Sequence, residues 1–335
     1  MRPPRDFRWR RLGAGLVAAL AVAACEQRAV PPPPAHTVAR RVPPVSGPFG
    51  HVFIIVEENA NYTDVIGDSS MPYLNSLARR YGLATQFYAN AHPSIGNYFM
   101  MTVGDTISNN DNYSTIVTTD NVVRQLVAAG KTWKSYAEDL PSVGYIGEGR
   151  GRYARKHNVL ALLSDVAGDS AQRLNLLPFS QFAPDLAADA LPDYAFIVPN
   201  LCNDAHDCPL RTADTWLETN IDPLVQSATF QRDGLLIIVF DESGRDNTLG
   251  GGRIACVIVS PKAKRGYQSK TLYQQQSLLR LSLKALGVTA FPNAAARAPD
   301  MDEFFQSKLR RASRATRPMT GGGGAGGGER RRVRR

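Results

Sequence analysis

The chain has 335 residues, with 39 Lys and Arg against 30 Asp and Glu, a formal net charge of +9, and 43% hydrophobic residues. That apolar content excludes a wholly disordered chain, and 4 Cys in this length exclude a disulfide-dense miniprotein. The +9 points first to a polyanionic partner, but residues 50–307 hold 21 basic and 27 acidic residues, so the body is acidic and the basic character sits at the ends. Such a body lacks the broad positive footprint that binds nucleic acid, and no nucleic-acid partner is expected.

Residues 1–24 place Arg2, Arg5, Arg8, Arg10 and Arg11 ahead of an apolar run from Leu12 to Ala24. This is the pattern of a secretory signal peptide, too short for a membrane span. Val22-Ala23-Ala24-Cys25 resembles a bacterial lipobox, in which Cys25 becomes the acylated first residue; the alternative is an ordinary signal peptide. The expectation is an exported bacterial protein, periplasmic or anchored to the outer membrane through lipid on Cys25. Residues 25–49, with Pro31 to Pro34 and then Pro43 and Pro44, read as an extended linker. Residues 308–335, with Gly321 to Gly328 interrupted by Ala325 and then Glu329 to Arg335, read as a disordered basic tail.

Residues 50–307 suit one large α/β domain. In chain order, the patterns predict a buried strand at His51–Val56, a helix at Met71–Tyr81, a short strand at Thr85–Tyr88 and a helix at Ile95–Val103. A helix at Asn121–Ala129 and strands at Thr132–Tyr136, Tyr194–Val198, Leu235–Phe240 and Ile254–Ser260 follow, then a helix at Ser277–Leu286. Continuous apolar runs require a sheet covered on both faces, which predicts mainly parallel strands.

The two strongest strands both run into oxygen ligands: Glu57-Glu58-Asn59 after the first, Asp241-Glu242-Ser243 after the other. Sites in open α/β sheets form beyond the carboxyl ends of strands, and this donor set suits a hard divalent cation. The competing reading is that the acids cap turns. Ser94, in Ala91-His92-Pro93-Ser94-Ile95-Gly96-Asn97-Tyr98, falls at a helix start, where it is either an N-cap or a nucleophile facing a bound anion. In Asn203-Asp204-Ala205-His206-Asp207, an Asp and a His two apart are flanked by Cys202 and Cys208, which can close a disulfide loop in an exported protein. Cys256, in an apolar strand, reads as a buried free thiol.

Glu58-Asn59, His92-Pro93-Ser94 with Asn97-Tyr98, the Asn203 to Asp207 loop, and Asp241-Glu242 with Gly250-Gly251-Gly252 occur in that order. Pro72-Tyr73-Leu74-Asn75, Trp133 to Pro141, Lys156-His157-Asn158, Asp214-x-Trp216-Leu217 and Ser277-Leu278-Leu279-Arg280 accompany them. The set, spanning roughly residues 50–305, resembles the bacterial and fungal phosphoesterase family of secreted acid phosphatases and phospholipases C. The resemblance implies an alkaline-phosphatase-like three-layer α/β/α sandwich with a mainly parallel central sheet. It implies Glu58, Asn59, Asp241 and Glu242 as ligands of a divalent metal ion, with Ser94 as both ligand and phosphoryl acceptor. His206 would protonate the leaving group or contact phosphate, His157 and His92 would line the phosphate pocket, and Glu57 would stand behind the ligands. Asp204 and His206 would serve a second ion, if two are bound. Two positions depart from the family pattern: Gln275 stands where His is frequent, removing one polar partner from the rim of the site, and Val159 stands where Pro is usual.

The expected activity is metal-dependent hydrolysis of a phosphate monoester through a phosphoserine. The alternatives are a phospholipase C-type diesterase and a non-catalytic surface lipoprotein whose Arg-rich tail binds polyanions. No Cys opens a C-x-P-x-R sulfatase motif, and Ser94 lacks the G-x-S-x-G elbow of a cofactor-independent hydrolase.

Overall fold

The structure, a computed structural model, describes residues 47–305. The leader, Cys25, most of the proline-rich segment and the basic tail lie outside the described residues. Ten strands form: β1 (His51–Glu57), β2 (Gly82–Ala84), β3 (Phe87–Tyr88), β4 (Trp133–Ala137), β5 (Leu176–Pro178), β6 (Tyr194–Val198), β7 (Gly234–Phe240), β8 (Cys256–Val259), β9 (Tyr267–Ser269) and β10 (Tyr273–Gln274). Eight make one sheet in the order β5-β4-β6-β1-β7-β8-β2-β9, and β10 pairs with β3 in a small second sheet. Every pairing in the large sheet is parallel except those of β8, which runs against β7 and β2.

The central strands are apolar throughout because both faces are covered. All seven residues of β7 and all five of β6 are buried. Burying one such Val, Leu or Ile contributes about 1.5–3 kcal/mol, which makes this strip the thermodynamic centre of the domain. The helices Ile95–Thr102, Val122–Ala128 and Gln275–Ala285 pack together, and the helices Pro72–Arg80, Leu210–Gln226 and Ala228–Asp233 form a separate group. Strand alternation shows how β1 addresses both groups. Phe53 meets Phe230, on the helix Ala228–Asp233, so Glu57 shares that face, whereas Glu58 reaches Tyr98, on the helix Ile95–Thr102.

Motif pieces with no chemistry of their own turn out to hold these layers. Met71, at the start of the helix Pro72–Arg80, has no capping side chain. Asp214, from the helix Leu210–Gln226, instead accepts from the Tyr73 and Leu74 N–H groups at 2.9 and 2.8 Å. Asn75 Nδ2 donates to the carbonyls of Val65 and Met71, both at 2.8 Å, and fixes the preceding loop.

The expected strand at Thr85–Tyr88 is broken: residues 82–84 join the main sheet and 87–88 pair with β10, with Thr85 and Gln86 turning between them. Phe49, placed in the linker by composition, is core: its ring lies edge-on to Phe305 at 5.2 Å and its N–H donates to the Ala285 carbonyl.

Candidate active site

Four adjacent parallel strands, β4-β6-β1-β7, end together. Glu57 pairs with Phe240 in the register of β1 and β7, so Glu58 and Asp241 leave the sheet side by side. The Asp241 N–H donates to the Glu57 carbonyl at 2.9 Å, and the Glu58 N–H to the Asp204 carbonyl at 2.8 Å, which ties the disulfide loop to the same edge.

Glu58 is wholly buried. Its Oε1 accepts from Tyr98 Oη at 2.6 Å, and its Oε2 accepts from Ser94 Oγ and Asn59 Nδ2, each at 3.1 Å. Burial, with Asp241 and Asp204 adding like charge, pushes its pKa well above the carboxylate range. Asp241 Oδ1 accepts from the N–H groups of Asn59 and Glu242, at 3.1 and 2.5 Å, while its Oδ2 is buried with no hydrogen-bond partner. Burial raises this carboxyl too. Asn59 turns the chain at φ 52°, a left-handed conformation that Asn tolerates.

Ser94 stands at the start of the helix Ile95–Thr102, but its side chain caps nothing. Asp111 Oδ1 accepts from the Ile95 N–H at 3.2 Å instead, and the buried Ser94 hydroxyl is turned onto Glu58. The loop ahead of it is stapled by Asn97, whose Oδ1 accepts from the Asn90 and Ala91 N–H groups and whose Nδ2 donates to the Ala91 carbonyl. Gly250, at φ +110°, packs on that loop: a Cβ there would fall on the Asn90 carbonyl oxygen. This close approach accounts for the glycine run in physical terms.

His92 Nδ1 lies 2.7 Å from Glu242 Oε2 and its Nε2 lies 3.1 Å from the Asp246 carbonyl. Burial, and then Asp241, push Glu242 up to about 7. His157 is wholly buried, stacked on Tyr98 with ring centroids 5.0 Å apart. Its nitrogens lie 3.2 Å from Glu58 Oε1 and from Asp204 Oδ2, though neither is aligned for a hydrogen bond. Burial and the adjacent Lys156 charge push His157 down to about 3. Asp204 Oδ1 accepts from the His206 N–H at 2.8 Å, and burial raises that carboxyl to about 7. His206 Nδ1 lies 2.7 Å from Asp207 Oδ1, and its ring is 5.9 Å from that of His157. Cys202 and Cys208 are joined by a disulfide around this loop, and Cys256 is a buried free thiol.

The structure therefore gathers Glu58, Asn59, Ser94 and Asp241 at one point, with His157, Asp204 and His206 on one side and the Glu242–His92 pair on the other. Glu57 faces the opposite side of the sheet, buried with both carboxylate oxygens unpartnered. Gln275 is not at the rim: it is buried, and its Nε2 donates to the carbonyls of Phe240 and Asp241, holding the end of β7 from behind.

Three contributors carry no individual role in the sequence patterns. Tyr98 follows Ser94 by four positions on one helix, a spacing that places both side chains on one face. Glu138 follows β4 as Glu58 follows β1, and accepts from the Asn200 N–H and Asn203 Nδ2, clamping the disulfide loop. Asp111 joins the helix start to Lys156, with Nζ and Oδ2 2.7 Å apart, a pairing across 45 residues that no local pattern shows.

Among the described residues no three His, Cys, Asp or Glu side chains are arranged as a ready-made cation group. The convergent set is two carboxylates, an amide and a hydroxyl, with buried like charges and an unpartnered Asp241 Oδ2. That chemistry fits a hard divalent cation, with Asn59 turning its amide so that Oδ1 faces inward.

Residues 68–289 match the model of the Phosphoesterase family. An acid phosphatase of Aspergillus fumigatus is 33% identical over 243 residues, covering 69% of this chain and 53% of that protein. A phosphatidylinositol-3-phosphatase of Mycobacterium tuberculosis is 32% identical over 226 residues, covering 67% and 73%. A phosphate-repressible acid phosphatase of Penicillium chrysogenum is 31% identical, covering 66% and 55%. The chain thus spans about half the length of these fungal relatives. In fold it is similar to a solved alkaline phosphatase superfamily protein from Vibrio parahaemolyticus, at a TM-score of 0.52 and 13% identity, covering 78% of this chain and 73% of that one. The order of the motifs, the sheet edge they build and these likenesses agree: the chain belongs to the Phosphoesterase family and carries an alkaline-phosphatase-superfamily fold.

Proposed function

We propose that the chain hydrolyses phosphate monoesters with the help of a divalent metal ion, using Ser94 as the phosphoryl acceptor. The observation that carries this reading is the Ser94 hydroxyl: buried at a helix start, relieved of capping by Asp111, and directed at Glu58 beside an unpartnered Asp241 oxygen. An N-cap serine would bond a backbone N–H of its own helix; this one does not.

Glu58, Asn59, Ser94 and Asp241 would hold the ion, with Glu242 joining if it releases His92. A second ion would draw on Asp204 and His206. When bound, the ion supplies charge neutralisation to the phosphate and lowers the hydroxyl's pKa. Ser94 Oγ, aimed by its hydrogen bond to Glu58 Oε2, gives its proton to solvent and attacks phosphorus, and the bond from phosphorus to the leaving oxygen breaks. His206, with Nδ1 held by Asp207, offers Nε2 as the proton donor to that oxygen. Water then cleaves the phosphoserine. His157, stacked on Tyr98, packs against Glu58 and shapes the phosphate pocket, and His92 fixes Glu242. Lys156, tethered by Asp111, supplies positive charge acting on Glu58 and Asp241. Positioning and charge neutralisation supply most of the rate in such chemistry.

The relatives' names support a monoesterase: acid phosphatases and a phosphatidylinositol-3-phosphatase. The leader and Cys25 support export with a lipid anchor in a bacterial envelope. Purified wild type and Ser94→Ala, assayed on p-nitrophenyl phosphate beside elemental analysis, test the reading. Loss of turnover with metal retained is expected; turnover within tenfold of wild type refutes the nucleophile.

A further inference from the structure

The body is acidic, yet Arg150, Arg152 and Arg155 cluster just before His157. Arg150 and Arg152 lie on a tight turn closed by the Arg150–Tyr153 bridge, with Gly151 at φ +61° at its tip, and Arg155 begins the short helix Arg155–His157 that follows. Arg150 and Arg152 are exposed and Arg155 is half-buried. Among the described residues no ion pair engages these three; the Arg155 guanidinium donates only to the Tyr113 carbonyl, at 3.5 Å.

The turn is fastened to the candidate site. The Leu201 N–H donates to the Arg152 carbonyl at 3.1 Å, and the Asp207 N–H donates to the Leu201 carbonyl at 2.6 Å. Asp207 Oδ1 in turn meets His206 Nδ1 at 2.7 Å. Two hydrogen bonds and one residue therefore separate Arg152 from the loop that carries His206. At its other end the turn runs into the short helix Arg155–His157, whose last residue packs on Tyr98 and Glu58.

From this placement we propose that Arg150, Arg152 and Arg155 form a second anion subsite at the rim, selecting phosphate esters whose alcohol portion carries a further phosphate. The inference rests on the reading of Ser94 as the reaction centre. Guanidinium forks match phosphate oxygens bidentately, and arginines without an acidic partner on an acidic body set up a local positive field. Each exposed contact is weak and screened by salt, so selectivity arises from the three together and fades with ionic strength.

The test compares fructose 1,6-bisphosphate with fructose 6-phosphate, following phosphate release, in wild type, Arg150→Gln/Arg152→Gln/Arg155→Gln and the corresponding triple lysine variant. Wild type is expected to favour the bisphosphate in kcat/KM by about tenfold at low salt, the glutamine variant by less than about twofold, and the lysine variant to keep most of the preference. Turnover of p-nitrophenyl phosphate should change by less than about threefold in both variants, which reports an intact fold and centre. A wild type without preference, or a glutamine variant that keeps it, overturns the subsite while leaving Ser94 in place. Ser94→Ala, run in parallel, separates the failures: if it still turns over p-nitrophenyl phosphate, the reading of the site falls and the subsite with it.

Discussion

Tyr98→Phe removes one hydroxyl and little else. The ring keeps its stack on His157 at 5.0 Å and its edge contact with Phe196 at 6.3 Å, so no cavity opens. What is lost is the 2.6 Å hydrogen bond from Tyr98 Oη to Glu58 Oε1. Its worth depends on the charge of Glu58. Without a cation, burial and neighbouring Asp241 and Asp204 push this carboxyl's pKa well up and so favour its neutral form, in which the bond is an ordinary one worth about 0.5–1.5 kcal/mol. With a divalent cation bound, Glu58 is ionised and the bond is charge-assisted, worth about 1.5–3 kcal/mol. The difference, about 1 kcal/mol, weakens cation binding by about fivefold. Denaturant unfolding with and without added Mg²⁺ or Mn²⁺, together with cation titration, measures both quantities. A loss below about 0.5 kcal/mol in both states, or an unchanged cation affinity, refutes the argument that Tyr98 holds Glu58 as a ligand.

Three further substitutions probe the supports of the site. Glu138→Gln places an amide donor among the donors from Asn200 and Asn203; it should cost about 1–3 kcal/mol in denaturant unfolding and lower kcat through His206, and unchanged values would show that the clamp is idle. Gly250→Ala sets a methyl on the Asn90 carbonyl at a backbone angle that L residues avoid, so a loss of at least about 2 kcal/mol and a fall in turnover are expected, read by Tm and kcat. At Asp193, burial raises the carboxyl but the Thr132 side chain and N–H and the Lys131 ammonium outweigh it, leaving the pKa below its ordinary value. This stabilisation is present above the unfolded pKa and lost as pH falls through the folded one. Asp193→Asn should therefore cost about 1 kcal/mol at pH 7 and nothing near pH 2, and a pH-independent cost would contradict the assignment.

The parts of the fold legible in sequence were those whose burial leaves a one-dimensional pattern. β1, β6 and β7 show as apolar runs because both faces are covered, and the acids after β1 and β7 show because they end those runs. The direction of β8 was not legible: its apolar run reads the same either way, and the 241–255 connection from β7 is long enough for either direction. The helix Leu210–Gln226, the longest in the described residues, went unnoticed although Ala213, Trp216, Leu217, Ile221 and Leu224 follow helical spacing. Pro223 inside it and polar residues between those positions blur the stripe. Around the site, the residues that converge on Ser94 stood out in sequence because they lie at strand and helix ends. Glu138, Asp111 and Gln275 did not, because their partners are distant in sequence and their contacts are visible only once the sheet edge is assembled. Membership of the Phosphoesterase family was legible through ordered motifs, several of which, such as Asp214 on the Tyr73 and Leu74 amides, serve packing.

The central claim is that Ser94 Oγ carries the phosphoryl group during turnover. The most direct measurement is acid quenching of wild-type enzyme during p-nitrophenyl phosphate hydrolysis, followed by mass spectrometry of the peptide that spans Ala91 to Tyr98. One added phosphoryl group on Ser94, absent in Ser94→Ala, is expected. Full turnover with the group on another residue would contradict it.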